Sequence, residues 1–191
     1  MHFITFTPPL TLTSLTSKEG SLILLNSPSS PPTKTIDLPR QGYSEFKDEI
    51  LPLTFEGVNL GNKIFGAAII KKDDHSLVVA GSNNETKNPL WHGEIYTLKK
   101  FYELDKKMRP DEKNCIFLSS HEPCSLCLSA ITFSGFNNFY YLFPYETTSD
   151  EFNIPHDLNI LKEVFNISDG KYIKENSYWK SYNINMLLDE L

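Results

Sequence analysis

Two short motifs carry side chains that could hold a metal ion and move protons. His92 is followed two positions later by Glu94, and Pro123 precedes Cys124 and Cys127 in a Pro-Cys-x-x-Cys pattern. One imidazole and two thiolates are three zinc ligands, and a fourth position left open for water is typical of a catalytic rather than a closed structural site. Glu94 would act beside that water as general acid and base. The set predicts hydrolytic chemistry at zinc.

The same residues admit other interpretations. A Cys-x-x-Cys pair by itself is also typical of a redox pair or of half a structural zinc site. A redox pair has no need of His92 and Glu94, and a closed structural site needs a fourth ligand, for which His121 is the obvious candidate. Together the motifs favour catalytic zinc. An inactive protein that keeps its metal for folding stays open, because a motif does not prove turnover.

Helices are expected to carry both motifs. Residues 92–105 place apolar side chains at helical spacing, and a second helix is expected to start at Pro123, since proline is favoured at the first helical position. Residues at i and i+3 share a helix face, so Cys124 and Cys127 can bind one ion. The helix dipole favours thiolates at a helix N-terminus. The ligands, His92 included, are therefore expected at two adjacent helix N-termini.

Strands alternate with helices along the rest of the chain. Residues 64–70 and 77–80 predict a hairpin, with its turn at residues 73–74. Further strands are expected at residues 116–118 and 138–143, and further helices from Ser44 toward Glu56 and over residues 157–165. This alternation predicts an α/β fold with three layers, α/β/α, built on a mixed sheet of about five strands.

The composition sets limits on partners and compartment. The chain has 191 residues, a formal charge of −6, and no run of apolar residues long enough to span a bilayer. Secretion is not expected, because the N-terminal residues do not show a positive region followed by an apolar one. Its three cysteines, two of them in the metal motif, fit a reducing compartment, so a cytoplasmic location is expected. An acidic chain favours a small-molecule substrate over nucleic acid, and no membrane partner is expected.

An N-terminal extension and one catalytic domain of different composition are expected. Residues 1–43 are rich in Ser, Thr and Pro and predict an N-terminal extension, in which apolar patches at residues 3–6 and 22–25 are expected to be either flexible tail or edge strands. Residues 44–191 are expected to form the catalytic domain. Residues 147–157 predict a polar loop that the motifs do not explain, and Trp179 predicts a packing anchor rather than a lid.

The motifs resemble those of the zinc-dependent cytidine deaminase-like superfamily, in its cytidine/deoxycytidylate, nucleobase and tRNA-adenosine deaminase branch. Residues 92–95, His-Gly-Glu-Ile, resemble the motif of fungal cytosine deaminases. Residues 122–127, Glu-Pro-Cys-x-x-Cys, resemble that of guanine and tRNA-adenosine deaminases. Residues 81–83 lie where this branch has a Gly-x-Asn. The resemblance covers roughly residues 45–145 and implies the cytidine deaminase-like fold.

The resemblance also implies roles for single residues. It implies zinc ligands at His92, Cys124 and Cys127, and a proton shuttle at Glu94, with a zinc-bound hydroxide as the nucleophile. Six further residues are expected near the substrate, some from the resemblance and some from their position in the chain: Asn83, Ala67, Ala68, Trp91, Tyr145 and Glu146. Ala67 and Ala68 would allow close approach, and Trp91 would narrow the rim.

The function expected from these residues is hydrolytic removal of an exocyclic amine. The substrate would be a nucleobase, nucleoside or nucleotide of the cytosine or the guanine/adenine type. One alternative is a deaminase of tRNA or single-stranded nucleic acid, which would need a basic groove. Another is a non-catalytic zinc-binding partner subunit, which would have no use for Glu94. The resemblance further implies a homo-oligomer, expected to be a dimer.

Overall fold

The computed structural model describes residues 38–146 and 156–191. Within these residues one mixed sheet has five strands in the order β2-β1-β3-β4-β5. The strands are β1 (Gly66–Lys71), β2 (Leu77–Ser82), β3 (Cys115–His121), β4 (Asn138–Phe143) and β5 (Lys180–Asn183). Strand β1 pairs antiparallel with β2 and β3, and β4 pairs parallel with β3 and β5. The predicted hairpin and mixed sheet are confirmed.

Helices cover both faces of this sheet. They are α1 (Leu38–Glu45), α2 (Leu51–Asn59), α3 (Gly93–Glu103), α4 (Ser125–Ser134), α5 (His156–Phe165) and α6 (Ile184–Asp189), with a π-helical turn at Phe46–Ile50 between α1 and α2. Short 3-10 turns lie at Glu112–Asn114 and Ser168–Gly170. The predicted three-layer α/β/α arrangement is therefore confirmed.

Each face of the sheet has its own hydrophobic core. Because successive side chains of a strand point to opposite faces, Ala67 and Ile69 of β1 join one core, and Ala68 and Ile70 join the other. The first core includes apolar residues of α3 and α4 together with Cys115 and Trp179. Trp179 is 8% exposed and donates from Nε1 to Thr132 Oγ1, which confirms it as a packing anchor. The two helices that carry the motifs are thus packed into this core.

The start of the domain differs from the sequence prediction. Helix α1 begins at Leu38, so Ser44 does not cap a helix but lies inside one, where its hydroxyl donates to Asp48. Pro52 does not break the helical segment: it stands in the first turn of α2, directly after the π-helical turn at Phe46–Ile50, which shifts the backbone hydrogen bonds just before it. The apolar patches at residues 3–6 and 22–25, and residues 147–155 of the predicted loop, lie outside the described residues.

None of the helices in the described residues has both the length and the apolar character needed to cross a bilayer.

Candidate active site

His92 of the first motif and Cys124 of the second lie at the N-termini of two neighbouring helices. His92 is the N-cap of α3 and Cys124 is the N-cap of α4, and both have extended backbone with ψ of 161° and 170°. The second helix therefore starts after Cys124, and not at Pro123 as the sequence predicted. Cys127 lies one turn into α4 and is fully buried. The two helix N-termini are adjacent because α3 and α4 pack on the same face of the sheet.

The three predicted metal donors form a compact triangle. His92 Nδ1 is 3.5 Å from Cys124 Sγ and 3.7 Å from Cys127 Sγ, and the two sulfurs are 3.6 Å apart. A tetrahedral zinc ion with bonds of about 2.0 Å to nitrogen and about 2.3 Å to sulfur requires donor separations of about 3.5 to 3.8 Å. The triangle fits zinc on geometry as well as on donor chemistry.

The surroundings of the triangle support the same assignment. The hydrogen bond between the two sulfurs, helped by that with His92, lowers the pKa of Cys124 to about 4, so this residue is a thiolate at neutral pH. His92 Nε2, turned away from the sulfurs, is 3.9 Å from Glu85 Oε1, and a carboxylate at this ring nitrogen is common for metal-binding histidines.

A closed four-ligand site is not formed by the described residues. Among them, the one cluster of three or more His, Cys, Asp or Glu side chains able to hold a metal ion is His92, Cys124 and Cys127. His121, the sequence candidate for a fourth ligand, instead bonds through Nδ1 to Ser120 Oγ and stacks its ring edge-on against Phe65. Three donors would leave the fourth position of a tetrahedral zinc ion for water, as in a catalytic site.

Glu94 lies beside this triangle, within the first turn of α3. Its side chain is buried, with Oε2 3.3 Å from Cys127 Sγ and Oε1 2.8 Å from Ser119 Oγ. Burial raises the pKa of Glu94 to about 7, with the negative charge of Cys124 as the next contribution. A carboxyl with a pKa near neutrality both accepts and releases a proton easily, which suits general acid–base chemistry.

A narrow cleft opens beside the donors, and most of the residues that line it were not predicted from the sequence. The cleft has a volume of about 50 Å³ and is lined by Lys63, Phe65, His92, Glu94, His121, Glu122, Cys124, His156 and Asp157. His156 was expected in a polar loop, whereas the helix predicted over residues 157–165 begins with it as the first residue of α5. Lys63 and Phe65 come just before β1, and their proximity to the motif of α3 could have been inferred from the packing of that helix on β1.

Asn83, predicted to contact substrate, is committed to contacts within the protein. It is buried, its Oδ1 accepts the backbone N–H of Gly93, and its Nδ2 donates to Glu85 Oε2 at 2.9 Å. Ala67 and Ala68 are fully buried in β1. The structure thus places Asn83 under the start of α3 and the two alanines in the sheet, and their contact with substrate stays a prediction.

The other three predicted substrate residues are not among those that line the cleft. Trp91 precedes His92 and packs against Tyr96 with ring centroids 5.4 Å apart. Tyr145 is buried, and its hydroxyl donates to the carbonyl of Pro123, so it supports the cysteine motif from behind. Glu146 is exposed at the surface. Their roles toward substrate stay predictions as well.

Comparison with known proteins agrees with this geometry. The family described as "Cytidine and deoxycytidylate deaminase zinc-binding region" matches residues 43–143, which is more than half of the chain. A guanine deaminase of Bacillus subtilis (strain 168) is 35% identical over 92 residues, which are 47% of this chain and 56% of that enzyme. The chain therefore spans little more than half the length of this curated relative.

A solved structure extends the similarity over more of the fold. The crystal structure of guanine deaminase from Bacillus subtilis is 27% identical, with a TM-score of 0.52, and the match covers 71% of this chain and 84% of that one. The matched residues include the whole histidine motif and both cysteines. The chain belongs to the cytidine and deoxycytidylate deaminase family, through the zinc-binding region that defines it.

Proposed function

We propose that the protein is a zinc-dependent hydrolytic deaminase that acts on a nucleobase or nucleoside, with a base of the guanine type as the first candidate. The observation that carries the proposal is the buried carboxyl of Glu94, 3.3 Å from a sulfur of the metal triangle and with a pKa near 7. The similarity to guanine deaminase supports the choice of base.

The chain's own groups divide the work. His92, Cys124 and Cys127 would hold the zinc ion, which when bound supplies a Lewis acid that makes water nucleophilic near neutral pH. Glu94 accepts a proton from the attacking water, delivers it to a ring nitrogen of the base, and then carries the second proton to the amine that leaves as ammonia. Ser119 orients the carboxyl through its hydroxyl.

The charges around the cleft support an uncharged substrate. Among the described residues that line the cleft, Lys63 is the one lysine or arginine. Its ammonium group forms an ion pair with Glu85 at 3.1 Å. Glu94 and Asp157 line the same cleft, as does Glu122, whose charge is compensated by Lys174. Phosphate groups are attracted by clusters of positive charge, so this wall favours a free base or nucleoside over a nucleotide or a polynucleotide.

Two lining residues suit the recognition of a purine. Phe65 offers a ring on which a base can stack. The carboxyl of Asp157, at the start of α5, can accept hydrogen bonds. Guanine presents N–H donors beside the carbon that loses its amine. Burial raises the pKa of Asp157 to about 6, with the negative charge of Cys124 as the next contribution.

The experiment is ammonia release from a panel of substrates, with zinc measured on the same sample. We expect release from guanine or guanosine, about one zinc per chain, and slower or no release from GMP and tRNA. Glu94→Gln should keep its zinc and lose turnover, whereas Glu103→Gln, an exposed change on the same helix, should keep both. Fast release from tRNA would overturn the substrate proposal, and zinc without any release would favour a non-catalytic partner subunit.

We also propose that the protein forms a homodimer. Helix α4 carries Phe133 with 94% of its surface exposed, and Leu126 on the same helix is 39% exposed. The two residues are seven positions apart and therefore share a helix face, and contiguous exposed apolar surface is typical of interfaces. Light scattering of the purified protein tests the proposal, and a monomer mass at high concentration would overturn it.

A further inference from the structure

Glu122 is a buried carboxylate next to the metal donors that the chemistry above does not use. It stands two residues before Cys124, and 3% of its side-chain surface is exposed. A buried carboxylate is stable only if charged and hydrogen-bonding partners compensate for the lost hydration. Three donors surround it here: the backbone N–H of Tyr145 at 3.1 Å, the hydroxyl of Tyr172 at 2.7 Å, and the ammonium group of Lys174 in direct contact.

The donors come from parts of the chain that are distant in sequence. Tyr172 and Lys174 are 50 and 52 residues beyond Glu122, in the segment that leads into β5. That segment is itself fixed to the sheet, because the backbone N–H of Ser181 donates to the carbonyl of Lys174. The ammonium group of Lys174 also lies 3.8 Å from the ring centre of Tyr172. The C-terminal part of the domain therefore reaches back to the loop that presents Cys124.

The backbone just before Cys124 also forms two hydrogen bonds. The N–H of Glu122 donates to the carbonyl of Phe143 at 2.8 Å, and the hydroxyl of Tyr145 donates to the carbonyl of Pro123. Glu122 is thus bonded to the last residue of β4, and Pro123 to a residue just after that strand. With backbone and side chain both fixed, the position of Cys124 Sγ depends on contacts that the family motif does not contain.

We propose that Lys174, assisted by Tyr172, is a positioning residue that sets the geometry of the metal site through Glu122. It acts on Cys124 by neutralising and orienting the carboxylate at the start of the loop, and it touches neither substrate nor metal. The inference rests on the proposed function only in taking Cys124 as a zinc ligand. It gives the C-terminal segment, which the family match at residues 43–143 does not cover, a place in the active site.

The test is zinc affinity of the full-length protein, measured by competition with a chromogenic chelator in the absence of substrate. In Lys174→Met the side chain keeps its length and loses its charge, which leaves Glu122 unpaired. We expect zinc binding to weaken by about 10- to 100-fold, the range seen when a partner beyond the metal ligands is removed. Lys174→Arg should keep most of the affinity, because it restores the charge.

The chain offers a matched control. Lys180 lies in the same C-terminal region and pairs with Glu175 at 3.2 Å, but both of these side chains are about half or more exposed. Lys180→Met should leave zinc affinity unchanged. The double variant Glu122→Gln/Lys174→Met removes both charges and should recover most of the affinity lost in Lys174→Met, since no unpaired carboxylate is left buried.

A spectroscopic readout separates positioning from general stability. The absorption of Co²⁺ bound to the two thiolates should change in Lys174→Met and be unchanged in Lys180→Met. If Lys174→Met does not fold, Tyr172→Phe removes a single hydroxyl from Glu122 and should weaken zinc binding by several fold, in the same direction as the loss of the Lys174 charge. Wild-type zinc affinity in Lys174→Met and Tyr172→Phe would overturn the inference. An equal loss of affinity in Lys180→Met would overturn it as well. Absence of deamination with normal zinc behaviour would instead overturn the proposed function.

Discussion

Asn83 accepts, through its side-chain carbonyl, a hydrogen bond from the backbone N–H of Gly93. Gly93 is the first residue of α3, so the bond satisfies one of the N–H groups that a helix start leaves without an intrahelical partner. The same side chain donates to Glu85, which faces the outer nitrogen of His92. One buried amide thus joins the loop after β2 to the helix that carries the histidine ligand and Glu94.

This relationship makes Asn83 a structural residue even without substrate. We expect Asn83→Ala to lower the free energy of unfolding by about 1–3 kcal/mol, because the buried N–H of Gly93 loses its acceptor, and to weaken zinc binding. Urea denaturation and chelator competition measure the two effects. Asn84→Ala is the matched control, since the neighbouring asparagine bonds through its backbone, and it should change little. Equal losses in the two variants would contradict this reading.

Gly93 itself is predicted to tolerate no side chain. A Cβ at this position would lie 2.7 Å from Cα of Gly66 and 2.8 Å from the carbonyl oxygen of Phe65, and backbone atoms cannot rotate away. We expect Gly93→Ala to push α3 off β1, at a cost of about 3 kcal/mol, and to abolish stoichiometric zinc binding. Thermal unfolding and metal analysis provide the check.

A glycine of α2 gives the comparison for this substitution. In Gly57→Ala the new Cβ would meet the end of the Ser82 side chain at 3.1 Å, which can move. Alanine is the better helix former, so stability should stay within about 1 kcal/mol of the wild type. Zinc bound normally by Gly93→Ala would show that the close approach of α3 to β1 is not needed.

Ser119 is predicted to matter for turnover rather than for metal binding. Its hydroxyl lies 2.8 Å from Glu94 Oε1 and 2.6 Å from the carbonyl of His121, and its one proton serves either partner. Ser119→Ala removes a hydrogen bond to a charged group, which is worth about 1.5–3 kcal/mol. We expect kcat to fall by about 10- to 100-fold with zinc content unchanged.

Steady-state kinetics and metal analysis of one preparation test the Ser119 prediction. Ser129→Ala serves as the control, because that hydroxyl donates to the carbonyl of Ser125 on the exposed side of α4. A loss of zinc in Ser119→Ala, or an unchanged kcat, would contradict the expected role.

The stability of the fold should fall in mild acid because of His121. Burial lowers the pKa of this imidazole from its ordinary value of 6.5 to about 4. Between these two pH values the unfolded chain binds a proton that the folded protein does not. The neutral imidazole therefore contributes its full share to the free energy of unfolding above pH 6.5, and this share is lost as the pH falls toward 4. The full effect is up to about 3 kcal/mol.

The free energy of unfolding of His121→Gln, followed from pH 7 to pH 4, should therefore decline less than that of the wild type. Release of zinc in acid affects both proteins, and the difference between their curves isolates the imidazole. His156→Gln, an exposed change at the start of α5, should follow the wild-type curve. Parallel curves for His121→Gln and the wild type would show that burial of His121 has no such cost.

The sequence by itself determined the features that depend on neighbouring residues. The hairpin of β1 and β2 follows from two apolar runs around a polar turn, and the helices over residues 93–103 and 156–165 follow from apolar side chains at helical spacing. The donor set of His92, Cys124 and Cys127 could be named in advance because residue type and spacing alone define it. The family followed from the same short motifs.

The tertiary structure decided what depends on contacts between distant segments. No local pattern pairs Glu122 with Tyr172 and Lys174, brings Asp157 to the cleft wall, or turns Asn83 toward Gly93. Such contacts arise only after the strand order β2-β1-β3-β4-β5 has brought the segments together, and that order reflects packing of the whole core. Chemistry of single residues is thus readable from the chain, whereas their partners are set by the fold.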